Sequence, residues 1–175
     1  MDLVGKCLIA RPSIEDPLFK RSVVFIYEQN VAGIAGVIIN QRSPISTHDI
    51  FLNRGFSPSE AAEKVYVGGP VNSNAVLILH TSEWKTTNTL KVNSDLSVSS
   101  DDLMFYKFVN GDKPEGYKFI TGVAAWHPLQ LKQELNNNRW LISNLTVHQI
   151  LDTDSRQLWD VAIETNAKQT IDRFI

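Results

Sequence analysis

The chain has 175 residues, of which 43% are apolar and 21% charged, a composition typical of a folded domain with a substantial core. Its formal net charge is −2 and its 17 lysines and arginines are dispersed, which excludes a strongly basic surface for nucleic acid. The single cysteine excludes an internal disulfide. Because the N-terminal residues have no apolar signal core and no stretch approaches the roughly 20 apolar residues of a membrane span, we expect a cytoplasmic location.

The first part of the chain predicts a short strand, a turn and a hairpin. Residues 3–10 are mostly apolar, and Asp16, which is followed by proline, predicts a turn capped by its carboxylate. Residues 22–27 form a β-branched and aromatic run typical of a strand buried on both faces, and residues 34–40 return as a second apolar run. Gly36 inside the returning strand predicts a bulge or a close backbone approach.

The middle of the chain predicts a short helix and two strands. Residues 57–64 begin with a serine and a glutamate three positions apart, the spacing of a capping box, with proline at the first helical position. Residues 65–67 and 75–80 predict strands. Gly68 and Gly69, followed by proline, predict a tight turn between them.

The C-terminal part predicts helices that begin at capping residues and strands that are rich in apolar residues. The helices are expected at about residues 100–110, at residues 128–137 and from residue 154 onward. Strands are expected at residues 117–125 and 140–142. Since strands and helices do not alternate strictly, we expect an α+β fold in one domain over residues 1–175, with a mixed, largely antiparallel sheet and about four or five helices around it.

The motifs of metal, phosphate and nucleophilic chemistry are missing. The four histidines are far apart in sequence, and there is neither a cysteine pair nor a His-Glu-x-x-His arrangement, so we expect no metal and no cofactor. Cys7 lies in an apolar strand, where a cysteine typically acts as a small buried hydrophobe. Gly68 and Gly69 lack the lysine of a Walker loop and the third glycine of a dinucleotide fold. We therefore predict stable folding without metal, and no catalytic residues.

Residues 146–162 have the length of a helix-turn-helix, but the charge of the second helix argues against DNA contact. It would carry Asp154, Asp160 and Glu164 against the lone Arg156, and phosphates would repel it. We therefore expect no sequence-specific binding to duplex DNA.

A group of eight residues that a core does not obviously need is our candidate ligand site. Arg21 enters a strand expected to be buried, so its guanidinium needs a carboxylate, for which Asp16 is the first choice and Glu134 the second. The alternative is a satisfied polar network that only fixes the strand entrance. The eight residues are Asp16, Arg21, Asn40, Gly68, Gly69, Trp126, Gln130 and Glu134.

The same residues lie in an ordered series of motifs. These are Gly5-Lys6-Cys7-Leu8-Ile9-Ala10, Asp16-Pro17-x-Phe19-x-Arg21-Ser22, Gly36-Val37-x-Ile39-Asn40, Val65-Tyr66-x-Gly68-Gly69-Pro70, Leu77-x-Leu79-His80, Trp126-x-x-x-Gln130-Leu131 and Asn138-x-Trp140-Leu141. Over nearly its whole length, the chain thereby resembles the YqgE/AlgH family of bacterial proteins. The resemblance implies a partly folded-over, barrel-like mixed sheet with helices around it. Part of the family is named for a role in transcriptional regulation. The resemblance implies this role by name only and gives no mechanism for it.

The chain departs from that family pattern around Trp126. Ala125, His127 and Leu129 stand where the family typically has glycines, and Lys132 stands where it has an acid. The function we expect is a non-enzymatic binding or regulatory module that acts through an unknown protein or small-molecule partner. A regulator that contacts DNA and an enzyme with an unrecognised assembled site are the alternatives.

Overall fold

A computed structural model describes residues 1–58 and 60–175. Within these residues the chain forms ten strands and five helices. The strands are β1 (Cys7–Ala10), β2 (Val23–Asn30), β3 (Gly33–Ile38), β4 (Arg42–Ser46), β5 (Lys64–Val67), β6 (Val71–Thr81), β7 (Thr89–Lys91), β8 (Leu96–Ser99), β9 (Tyr117–Trp126) and β10 (Trp140–Ser143). The helices are α1 (Thr47–Asn53), α2 (Asp102–Val109), α3 (Pro128–Asn136), α4 (Val147–Asp152) and α5 (Leu158–Asp172).

The strands join in one curled sheet that forms a half-barrel. The main path runs β10-β1-β2-β3-β9-β6-β8-β7, while β4 pairs with β5 and β5 also pairs with β9. The β5–β9 pair is parallel, and the other strand pairs of the described residues are antiparallel. The predicted α+β class with a mixed, largely antiparallel and partly barrel-like sheet is therefore confirmed.

The predicted hairpin is formed by β2 and β3. Its register shifts between Ile26 and Glu28, so that one extra residue is accommodated in β2. Gly36 lies opposite Ile26, and a Cβ atom there would lie 2.8 Å from the carbonyl oxygen of Phe25. The close backbone approach predicted for Gly36 is therefore confirmed, whereas the bulge of this pair lies in β2 and not at Gly36.

The side chains of β2 alternate between two cores, one on each face of the sheet. Phe25 packs in a cluster with Ile150 of α4 and Leu158 of α5, whereas Ile26 packs in a cluster with Leu131 of α3. The prediction that this strand is buried on both faces is confirmed.

The central strand β9 changes partners along its length. Its residues 119–121 pair with β5 on one edge and with β6 on the other, whereas residues 124–126 pair with β3. Gly122, at φ +74°, lies between these two segments. Strand β9 therefore connects the two halves of the sheet.

The connection from β5 to β6 crosses β9 at this point. The N–H of Gly68 donates to the carbonyl of Thr121 at 2.8 Å. A Cβ atom on Gly69 would lie 2.2 Å from the carbonyl carbon of Val123, and one on Gly122 would lie 2.4 Å from the carbonyl oxygen of Gly69. Two backbones can cross at this distance only because these positions lack side chains.

The helix predicted at residues 57–64 is not formed. Residues 60–63 have no helix, Lys64 already begins β5, and Ser59 lies outside the described residues. The helix of this region is α1, where the N–H of Ser46 donates to the carboxylate of Asp49 at 2.7 Å. The reason is packing: α1 buries Ile50 and Phe51, whereas residues 60–64 contain no large apolar side chain to bury.

Two further helix starts differ from the prediction. Helix α2, expected from about residue 100, begins at Asp102, because β8 extends to Ser99 and Asp101 is the capping residue, whose Oδ1 accepts from the N–H of Met104 at 3.0 Å. The last helix begins at Leu158 rather than at residue 154, and a separate short helix, α4, precedes it. Among the described helices, none has both the length and the apolar content needed to cross a membrane.

Candidate functional site

The turn before β2 is organised by Asp16. Its Oδ1 accepts hydrogen bonds from the N–H groups of Leu18 at 2.9 Å and of Phe19 at 3.1 Å. The capping role predicted for Asp16 is confirmed. Its carboxylate is used by the turn, and it does not pair with Arg21.

Arg21 ends this turn in a left-handed conformation with φ 56°. Asn40 holds it from both sides, since its Nδ2 donates to the carbonyl of Arg21 at 2.8 Å and its Oδ1 accepts from the N–H of Val23 at 2.9 Å. Gln41 fixes the same turn by donating from Nε2 to the carbonyl of Leu18 at 3.1 Å. Two adjacent side chains thus stabilise a backbone conformation that residues other than glycine seldom adopt.

The expectation that the Arg21 guanidinium is buried against Asp16 or Glu134 is wrong. The side chain is 53% exposed, and its Nη2 lies 3.4 Å from Oδ2 of Asp160 on α5. Its guanidinium carbon lies 4.3 Å from the ring centroid of Trp159. Strand β2 begins at Val23, and the left-handed turn directs the Arg21 side chain outward onto α5 instead of into the sheet.

A second group lies at α3 and is built around Glu134. Its Oε2 accepts from the indole N–H of Trp140 at 2.7 Å and of Trp126 at 3.2 Å, and its Oε1 accepts from Gln130 at 3.2 Å. Trp126 and Trp140 are both buried. Glu134 therefore satisfies two buried indole donors, as the polar-network alternative requires.

Phe19 connects the two groups. Its ring lies 6.2 Å from Trp126 and 5.9 Å from Trp140, measured between centroids. The structure thus places Asp16, Arg21 and Asn40 in one group and Trp126, Gln130 and Glu134 in another, with Phe19 between them. Gly68 and Gly69 form the strand crossing described above, where their missing side chains accommodate backbone.

Sequence reasoning missed a buried lysine inside β9. Lys118 is 4% exposed, and its Nζ donates to the carbonyl of Ile39 at 2.9 Å and lies 4.7 Å from the ring centroid of Tyr66. Burial lowers the pKa of Lys118 from 10.5 to about 8, although the negative charge of Asp152 partly opposes the shift. The available signal was a lysine at a core-facing position of a predicted strand.

Cys7 also contributes to this core and is completely buried. Burial raises the pKa of its thiol from 9.0 to about 12, and the nearby Lys118 charge reduces the shift only in part. Cys7 is therefore a protonated, apolar side chain at neutral pH, as the sequence predicted.

His80 is the buried histidine of the sheet, and its ring is fully hydrogen-bonded. Nδ1 lies 2.8 Å from the carbonyl oxygen of Thr81, and Nε2 lies 2.7 Å from Oγ of Ser99. Burial lowers the pKa of His80, which favours the neutral ring. Within residues 1–58 and 60–175, no three acidic, histidine or cysteine residues are grouped as metal ligands.

Comparison with solved structures identifies the class of fold. The solution structure of the AlgH protein from Pseudomonas aeruginosa matches with a TM-score of 0.81 and 27% identity, covering 93% of this chain and 88% of that one. A protein from Corynebacterium diphtheriae shares the fold with a TM-score of 0.71, at 24% identity and with 92% and 86% coverage. The half-barrel sheet with its five helices is thus an AlgH-type fold.

Sequence comparison identifies the family. The AlgH-like family model matches residues 7–170. A UPF0301 protein from Aliivibrio salmonicida is 32% identical over 171 residues, covering 94% of this chain and 91% of the relative. Another UPF0301 protein, from Photobacterium profundum, is 31% identical over 170 residues, with 93% and 91% coverage. This chain belongs to the AlgH-like family, which confirms the resemblance.

Proposed function

We propose that this chain is a non-enzymatic binding module that recognises a partner protein through the surface formed by Arg21, Trp159 and Asp160. The observation that carries the proposal is the guanidinium of Arg21, which is half exposed, stacked on an indole ring and presented by a strained turn. Tryptophan and arginine are the side chains most enriched at the centres of protein interfaces.

The backbone of the turn supports this proposal. A non-glycine residue in the left-handed region costs about 1–2 kcal/mol, and such conformations are retained mainly where function requires them. Asn40 and Gln41 both direct their amide groups to this turn. The indole of Trp159 is itself fixed, because its Nε1 donates to the carbonyl of Ala10 at 2.7 Å.

The chemistry of the surface suggests what the partner presents. A guanidinium has five N–H donors, and the exposed contact with Asp160 at 3.4 Å is long for a charged hydrogen bond. A carboxylate on the partner can accept two parallel hydrogen bonds from Arg21, with the indole of Trp159 packing against the same group. The exposure of Arg21 fits a protein surface better than a small molecule, which a pocket would largely enclose.

Site-specific photo-crosslinking in bacterial cells tests the proposal. A benzophenone amino acid replaces Lys20, which is exposed and adjacent to Arg21, and adducts are identified by mass spectrometry. We expect a discrete protein adduct that is lost in Arg21→Ala. It should persist in Arg156→Ala, the matched control, because Arg156 is also exposed and also pairs with an aspartate, at 3.1 Å.

Two further measurements separate recognition from folding. Because the Arg21–Asp160 pair is exposed, Arg21→Ala should change the free energy of unfolding by less than about 1 kcal/mol. With the purified partner, Arg21→Ala should weaken binding about tenfold or more, which corresponds to losing one charged hydrogen-bonded contact. An adduct pattern that is the same in wild type and Arg21→Ala refutes the proposal.

A further inference from the structure

A cavity of about 330 Å³ opens beside the start of β9, away from the Arg21 surface. It is lined by residues near the start of the paired parallel strands β5 and β9 and by Leu151 of α4. Tyr66, Tyr117, Lys118 and Phe119 contribute to its wall. Its volume is at the lower end of the range of small-molecule sites, which suits a ligand with a single ring.

Lys118 is the unusual member of this wall. Its ammonium group makes one hydrogen bond to a protein acceptor among the described residues, the 2.9 Å bond to the carbonyl of Ile39. No carboxylate of the described residues lies within 4.0 Å of Nζ, although the side chain is almost completely buried. A buried charge with two unused donors is costly unless an anion pairs with it.

Positive charges outnumber negative ones in the wall of the cavity, although the carboxylate of Asp152, outside this wall, also acts on Lys118. Glu63 contributes the carboxylate of the wall, but its two oxygens accept from the hydroxyl of Tyr117 at 2.7 and 2.8 Å. Lys64 adds a second cation at the exposed edge. The cavity therefore has two ammonium groups for one carboxylate that is already engaged.

The remaining wall is apolar and partly aromatic. The ring of Tyr66 lies beneath the ammonium of Lys118, and Leu151 provides apolar surface in the same wall. We propose that this cavity binds a small aromatic carboxylate whose charge pairs with Lys118 and whose ring packs against Tyr66 and Leu151. This site is separate from the Arg21 surface and does not depend on the function proposed for it.

Protection of the lysine amine in the wild-type protein is the first test. Benzoate is the probe, and benzamide, which has the same shape without the charge, is the control ligand. Reductive methylation followed by peptide mapping reports the reaction rate of each lysine. At a benzoate concentration about ten times the dissociation constant, Lys118 should react about tenfold more slowly, because occupancy scales with ligand concentration by mass action. The exposed Lys132 should react at an unchanged rate.

The second test uses variants. Benzoate should raise the unfolding temperature of the wild type and of Lys132→Met, whereas Lys118→Met should lose this shift. Equal reaction rates of Lys118 with and without benzoate, or equal protection by benzamide, would overturn the proposal. A benzoate shift that persists in Lys118→Met would also overturn it. If Lys118→Met does not fold, the protection experiment on the wild type still decides.

Discussion

Lys118 carries an ammonium group on the face of β9 that otherwise supplies apolar side chains to the core. Ile120, two residues further along the strand, packs in the same cluster as Cys7 and Tyr66. The apolar surroundings favour the neutral amine, which is why the pKa of Lys118 falls to about 8. Near neutral pH, the burial of the charged ammonium group therefore lowers the free energy of unfolding.

The pH dependence of Lys118→Met should reveal this cost. The folded pKa of about 8 lies below the unfolded value of about 10.5, so between these pH values the unfolded state binds more protons. The wild type is therefore stabilised as pH rises through this window, and the variant lacks this contribution. We expect the stability advantage of Lys118→Met over wild type to shrink by roughly 2–3 kcal/mol between pH 7 and pH 10.

Urea denaturation at a series of pH values measures this difference. Cys7, Tyr66 and Tyr117 also titrate, and the negative charge of Asp152 acts on Lys118, but all four residues are present in both proteins, so their contributions largely cancel in the comparison. For Lys132→Met, at an exposed position, the difference in unfolding free energy from wild type should not vary with pH. If the difference in unfolding free energy between Lys118→Met and wild type is constant with pH, the charge of Lys118 is not buried as described.

Single residues of the candidate site were predictable where their partners are close in sequence. The capping role of Asp16 follows from the proline after it, and the N–H groups that donate to its carboxylate lie two and three residues away. The partner of Arg21 was not predictable, because Asp160 is 139 residues away and reaches Arg21 only through the packing of α5. The burial of the Lys118 charge was not predicted. The position is core-facing by periodicity, but the residues that bury the ammonium group lie on strands that are far apart in sequence.

At the scale of elements, strands were predicted better than helices. Residues 22–27 and 34–40 are so rich in β-branched residues that a strand is strongly favoured over a helix. Four of the five described helices have nine residues or fewer, and the formation of such short helices is decided by what they can bury rather than by their caps. The capping pattern at residues 57–60 therefore gave a wrong helix prediction. Helix α1 forms because it can bury the large apolar side chains of Ile50 and Phe51.

The crossing of β9 by the β5–β6 connection should be the least tolerant point of the sheet. Gly69→Ala places a methyl group 2.2 Å from the carbonyl carbon of Val123, and neither backbone can move without breaking strand pairing. We expect a loss of roughly 3 kcal/mol or more in the free energy of unfolding, measured by urea denaturation.

Gly111→Ala is the matched control for this substitution. Gly111 has φ +79° but no atom within 4 Å of an added Cβ, so only backbone strain of about 1–2 kcal/mol is expected. Equal losses for the two variants would show that the crossing is not the constraint at Gly69.

At the scale of the whole molecule, the class of fold was predictable but the order of its strands was not. The pairing of β10 with β1 and the parallel pairing of β5 with β9 join segments that lie far apart in the chain. Hydrophobic patterns determine which face of a strand is buried, but they do not determine its neighbour. The family resemblance supplied the half-barrel that the residue pattern alone could not.

The distribution of charge over the molecule predicts weak interaction with DNA. The net charge is −2, and the adjacent helices α4 and α5 present Asp152, Asp160 and Glu164 to solvent. Few phosphates can therefore be neutralised at once. Fluorescence anisotropy at physiological salt should give no sequence preference among labelled duplexes. A preference of roughly a thousandfold for one sequence would establish the regulator that contacts DNA instead.

The central position of β9 has a consequence for synthesis of the protein. While the chain emerges from a ribosome, β3 and β6 are made long before the strand that joins them, and β1 gains its outer neighbour only with β10. The nascent polypeptide therefore exposes unpaired strand edges until Ser143 has left the exit tunnel. Such edges are where aggregation begins, so we expect the speed of translation through residues 117–143 to affect the yield of this fold.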